Sequence, residues 1–189
     1  LALGPDFEAA AAAVLANLPE VRRVVSSPLG RCRRLAERIA ATRRLPLAED
    51  ARLIEFDFGA WEGRQWSALP RSELDAWAAD FRHARPHGGE SVEMLAARVE
   101  SALTETPAGS PPQLWVTHAG VARAACATLG VADGWDTRLD FGAWLDLRRA
   151  PGAPFVDQPL AFRDIASVQP RTMTIVWPRS ASGTAGIGG

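Results

Sequence analysis

The sequence predicts an α/β fold, a doubly wound and mostly parallel sheet flanked by helices, with a small helical cap inserted over one edge. Three observations carry this expectation. Short strand-like runs at residues 21–25 and 114–116 are each followed by an amphipathic helical pattern, and strands alternating with helices suit a doubly wound, mostly parallel sheet. Residues 64–90 interrupt that alternation with polar and helical sequence, which reads as the cap. The 189 residues are enough for one such domain with a real core.

Taken in order, residues 6–18 form a helix with Asp6 at its N-cap and Phe7, Ala11, Val14, Leu15 and Leu18 on one face. Its alanine run suggests close packing of helix on sheet. Pro19-Glu20 ends that helix, and residues 21–25 form the first strand. A second helix over residues 32–42 turns Leu35, Ala36, Ile39 and Ala40 inward. A third is predicted over residues 70–81, with Leu74, Trp77, Ala78 and Phe81 as its stripe. Ser91 caps a fourth, whose apolar side is Val92, Leu95, Val99 and Leu103. A Pro/Gly/Ser-rich turn at residues 106–112 leads to the strand at 114–116, then to a helix over 121–129 closed by Gly130.

Residues 141–147 alternate well enough for a late strand near an edge. The domain is expected to span residues 1–150. Pro151-Gly152-Ala153-Pro154 marks its boundary, and residues 151–189 form an extension ending in a flexible Ser/Gly/Ala tail. Within that extension residues 172–177 alternate as Thr-Met-Thr-Ile-Val-Trp, with Met173, Ile175 and Trp177 on one face.

Composition narrows the partners. With 21 basic and 22 acidic residues the net charge is −1, so nothing points to nucleic acid or to an acidic membrane surface. The arginines are interspersed with Asp and Glu and read as solvated helix faces. Cys32 and Cys126 lack metal or redox spacing and read as small buried side chains. No apolar run reaches bilayer length, and the cytoplasm is the expected location. His83 and His87 lie in polar sequence and are expected to be solvated.

Thr117-His118-Ala119-Gly120 stands where a strand ends and a helix begins, so His118 projects from the carboxyl edge of the sheet beside helix-start amides. A capping histidine would fit the same place. Ser26-Ser27-Pro28-Leu29-Gly30-Arg31 makes the same strand-to-helix junction earlier in the chain. A loop of carboxylates, aromatics and glycines runs from Leu53-Ile54-Glu55 through Phe56-Asp57-Phe58-Gly59 to Trp61-Glu62-Gly63, and Gly88-Gly89-Glu90-Ser91 follows later. In this order, over roughly residues 5–148, these segments resemble the histidine phosphatase superfamily, in its phosphoglycerate mutase-like branch. The small α-ribazole phosphatase and broad phosphomonoesterase group, and with it cobalamin biosynthesis, is the nearest resemblance.

That resemblance implies a small phosphorylated metabolite as partner, no metal and no cofactor. It implies Arg31 as a phosphate-clamping arginine, though a surface arginine like Arg33 or Arg34 would read alike. Glu55 becomes the proton donor to the leaving group, with Asp57 as rival. His118 becomes the residue that stabilises the transferring phosphoryl group, with the Ala119 and Gly120 amides as further donors. Gly63, Gly88 and Gly89 would serve turns, and Trp66 and Trp77 either line the cap or belong to the core.

One departure stands out. The family's first strand ends in Arg-His-Gly, whose histidine accepts the phosphoryl group, and no Arg-His-Gly occurs in these residues. The chain starts at Leu1, so one expectation is a phosphatase whose opening strand precedes it. Others are a phosphate-binding protein without catalysis and, less favoured, a phosphoglycerate mutase. The family's first strand lies inside the sheet. Residues 172–177 could occupy that slot, or form an edge strand or tail.

Overall fold

The structure, a computed structural model, describes residues 7–106, 110–137, 144–149 and 171–176. In chain order these form α1 (Phe7–Asn17), β1 (Arg23–Ser26), α2 (Gly30–Arg43), β2 (Leu47–Glu49), α3 (Arg71–Ala79), α4 (Val92–Thr104), β3 (Gln113–Val116), α5 (Ala119–Thr128), β4 (Trp144–Arg149) and β5 (Arg171–Val176). The five strands make one sheet in the order β2-β1-β3-β5-β4. β2, β1, β3 and β5 run parallel, and β4 is antiparallel to β5. No helix among the described residues is long and apolar enough to cross a membrane.

Strand alternation sorts the core onto two faces. Val24, Leu114 and Val116 pack with Ala11, Val14, Leu35, Ala36 and Ile39 of α1 and α2. Val25 and Trp115 point the other way and join Phe56, Phe58, Trp61, Leu95, Val99, Val121 and Leu147. Val24 and Val25 of β1 and Leu114, Trp115 and Val116 of β3 are thereby buried on both faces of the sheet. The α1 alanines depart from expectation. Only Ala11 is buried, and Ala9, Ala10, Ala12 and Ala13 face outward, so the run supplies helix propensity more than close packing. The Asp6 cap lies outside the described residues. Instead α1 is tied down at its far end, where Arg43 of α2 donates to the carbonyls of Leu15, Leu18 and Pro19 at 2.7–2.8 Å.

Ser91 caps α4, its hydroxyl accepting the Met94 amide at 3.2 Å. Ser91→Ala is expected to cost about 1 kcal/mol, read as a shift in the urea midpoint at unchanged slope. The inward residues of α4 are those the sequence indicates, with Ala102 added.

The third helix is shorter than its pattern suggests, and Ala78 is exposed. Leu74, Trp77 and, just past the helix, Phe81 still pack against the core as the stripe predicts. β2 was not anticipated. It has three residues after Pro46, one β-sheet neighbour and an exposed Leu47, leaving almost no apolar pattern to read. His87 also departs from expectation. It is 2% exposed, enclosed by Phe56, Phe58 and Trp61, with ring centroids 4.8–6.0 Å away. His83 is exposed, beside Asp80.

β4 covers part of the predicted late strand, while residues 141–143 lie outside the described residues. β5 is neither an edge nor a tail. It lies between β3 and β4, pairing Gln113 with Met173 and Val116 with Val176. Trp177, the Pro151–Pro154 boundary stretch and the terminal tail are outside the described residues.

Candidate active site

β1 and β3 end side by side, and the chain leaves both at the carboxyl edge of the sheet, where open α/β folds place their ligands. The Ser27 amide donates to the Val116 carbonyl at 2.9 Å, holding the two exits in register. Arg31 follows in the first turn of α2, and His118 is the N-cap residue of α5. Glu55 arrives from the loop after β2, which two contacts fasten. Thr117 donates its hydroxyl to the Leu53 carbonyl at 2.7 Å, and Arg98 of α4 donates to the Glu55 carbonyl at 3.2 Å.

These three side chains meet. Arg31 Nη2 is 2.8 Å from His118 Nδ1 and 3.8 Å from Glu55 Oε2, and that carboxylate oxygen is 3.7 Å from His118 Nδ1. His118 Nε2 lies 2.9 Å from Ser27 Oγ. The guanidinium can only donate, so Nδ1 is the acceptor, and the proton of the neutral ring sits on Nε2, pointing at Ser27. Burial, reinforced by the charges of Arg31 and Arg98, pushes the imidazole down to about 3. The contact with Glu55 is therefore not an ion pair at neutral pH. Because the folded value lies below the ordinary 6.5, the corresponding stability is present above pH 6.5 and is lost progressively as pH falls toward about 3.

Burial raises the Glu55 carboxyl above its ordinary value, opposed by the Phe56 amide, Arg31, the Gly120 amide and Arg98. Glu55 Oε1 accepts the Phe56 amide at 3.1 Å. Gly120 is packed so closely that a Cβ there would come 2.8 Å from Glu55 Oε1. Its amide thus serves the carboxylate, while Ala119 is half-buried at the first turn of α5. Asp57, the rival carboxylate, is exposed and caps the Gly59 amide at 2.8 Å.

The loop bearing Glu55 and Asp57 is clamped to the turn at residues 87–89. A Cβ on Gly59 would meet the His87 carbonyl, and one on Gly89 would meet the Asp57 carbonyl. His87 braces the turn by accepting the Gly89 amide on Nδ1 at 3.0 Å. Gly63 and Gly88, at φ 72° and 73°, occupy left-handed turn positions. Trp66 and Trp77 stack at 6.1 Å and pack against Trp61, placing them in the aromatic cluster that joins the core.

Three contributors escaped the sequence reading. Ser27 was visible only as part of a junction, and Cys32 only as a small buried residue, yet Cys32 Sγ lies 3.4 Å from His118 Nε2. Arg98 resembles a solvated helix arginine. Instead it pairs with Glu90 at 2.8 Å and reaches two loop carbonyls, a role signalled only by its place between the core residues Leu95 and Val99. Arg123 is likewise 8% exposed and not on a solvated face.

A mostly parallel sheet with helices on both faces carries an Arg–His–Glu cluster at its carboxyl edge. The profile of the Histidine phosphatase superfamily (branch 1) matches residues 3–158, and the chain belongs to that family. A Salmonella paratyphi B protein named "Probable phosphoglycerate mutase GpmB" is 35% identical over 135 residues, 68% of this chain and 58% of that protein. The chain thus spans little more than half the length of that relative. Among solved structures, TTHB049 from Thermus thermophilus is 34% identical with a TM-score of 0.55, covering 68% of this chain and 70% of the other. An Escherichia coli K-12 "putative alpha-ribazole-5'-P phosphatase" is 26% identical with a TM-score of 0.64, covering 75% of each.

Proposed function

We propose that this chain provides the phosphate-binding and proton-donating side of a phosphomonoesterase site acting on a small phosphorylated metabolite, α-ribazole 5′-phosphate being the favoured type. The observation that carries the reading is the convergence of Arg31, Glu55 and His118, from three separate segments, within 4 Å of one another. Arg31 would hold two phosphoryl oxygens with its planar fork. His118 would stabilise charge on the transferring group. Glu55, whose carboxyl burial raises above its ordinary value, would protonate the departing alkoxide.

The attacking group is a separate matter. Ser27 and Cys32 are the nucleophile-type side chains that touch His118 among the described residues, and neither is activated. Ser27 is fully buried and receives the ring proton instead of losing its own. Burial pushes the Cys32 thiol up to about 12, so it stays protonated. With no Arg-His-Gly in its sequence, the 189-residue chain binds phosphate without turning it over.

Two measurements test this. Titration calorimetry should show saturable inorganic phosphate binding, and p-nitrophenyl phosphate hydrolysis should equal that of His118→Ala. Robust turnover abolished by His118→Ala would mean that another residue has become the nucleophile. Absence of phosphate binding would remove the reading. The kinship with the GpmB-type protein supports a second possibility, a phosphoglycerate mutase, which binding of phosphoglycerate in preference to other phosphomonoesters would favour.

A further inference from the structure

The proposed role of His118 requires an N–H directed at the phosphoryl group, and the ring as it stands has none to give. Nδ1 is filled by the Arg31 N–H at 2.8 Å, and the Nε2 proton is held by Ser27 at 2.9 Å. The ring is 2% exposed, so water cannot supply what is missing without rearrangement. The resting site is closed on itself, with the arginine suited to phosphate occupied by the histidine.

The groups around the ring indicate how it opens. Arg31 and Cys32 face it from α2, Glu55 from its loop, and Arg98 from α4. Both arginines oppose a cationic ring, and Arg31, with 36% side-chain exposure, is free to turn outward. Ser27 Oγ, which accepts the Leu29 amide at 3.3 Å, lies 2.9 Å from Nε2 and takes the ring proton there. That arrangement keeps the Nε2 proton in place, leaving Nδ1 as the position for a new one.

We propose that a tetrahedral dianion binds here together with one proton: Arg31 leaves Nδ1 to hold the anion, and His118 takes a proton from solvent at Nδ1 and donates it in a hydrogen bond to the same anion. The balance is one dianion and one proton in, with no bond broken. The added negative charge offsets the arginines that keep the empty ring neutral. This rests on the phosphate reading of the site and adds the proton that accompanies the ligand.

Sulfate, fully dianionic near neutrality, is the probe. Calorimetry of the 189-residue protein in two buffers of different ionisation enthalpy should give about one proton taken up per sulfate at pH 7, with affinity falling about tenfold per pH unit above that. Glu55→Gln should keep the uptake and His118→Gln should lose it. Sulfate binding without proton uptake would mean that the ring exchanges tautomers through Ser27, and would overturn this proposal alone. Uptake that disappears in Glu55→Gln and persists in His118→Gln would overturn it too. Failure of both sulfate and inorganic phosphate to bind would overturn the phosphate reading and this proposal with it.

Discussion

Trp61→Ala is expected to remove about 3–5 kcal/mol of stability, the range for emptying a buried large aromatic site. Trp61 is fully buried and lies at the hub of an aromatic cluster, with ring centroids 5.9 Å from Trp66, 5.9 Å from Trp77 and 4.8 Å from His87. Its indole also donates to Glu73 of α3 at 2.7 Å. The substitution therefore opens a cavity and unties α3 together. Trp61→Phe separates the two effects, since it keeps most of the ring volume and loses the hydrogen bond, at a cost of about 1–2 kcal/mol. Urea denaturation reads both. A loss below about 1 kcal/mol for Trp61→Ala would show that this aromatic cluster does not depend on the ring.

Arg31→Ala is expected to weaken inorganic phosphate binding roughly 30- to 100-fold, the effect of losing charge-assisted hydrogen bonds to a dianion. Arg31→Lys should fall between, because it keeps the charge and loses the fork. Stability should fall by no more than about 1–3 kcal/mol, from the His118 Nδ1 acceptor left unpaired in the empty site. Arg33, two residues along the same helix and paired with Glu37 at 3.7 Å, is the control. An equal loss from Arg33→Ala would show general electrostatic attraction in place of a specific clamp.

The sequence made the site's three principal side chains legible because each stands at a chain position with a local signature. Arg31 and His118 follow apolar strands at strand-to-helix junctions, and Glu55 precedes the Gly59 and Trp61-Glu62-Gly63 pattern. The surrounding contacts had no such signature. Cys32 reaches His118 across 86 residues of sequence, and Ser27 across 91. His87 misleads for the same reason. Its neighbours in sequence are polar, and the aromatic wall that buries it comes from residues 56–61. The fold was legible where strands are buried on both faces, as β1 and β3 are, and illegible in β2, whose three residues lie at an edge.

The place of β5 bears on how the chain acquires its shape. β3 obtains one neighbour, β1, from residues that precede it, and the other from a segment that pairs Gln113 with Met173. Contacts so distant in sequence form late, because the intervening loop must be closed before they contribute. Until then β3, whose four residues are all buried in the finished sheet, is an open apolar edge carrying Leu114, Trp115 and Val116. Such an edge is a template for a strand from another molecule. The same strand that delivers His118 to the candidate site is thus an edge the nascent chain leaves open to aggregation, and β5 is the segment that ends the exposure.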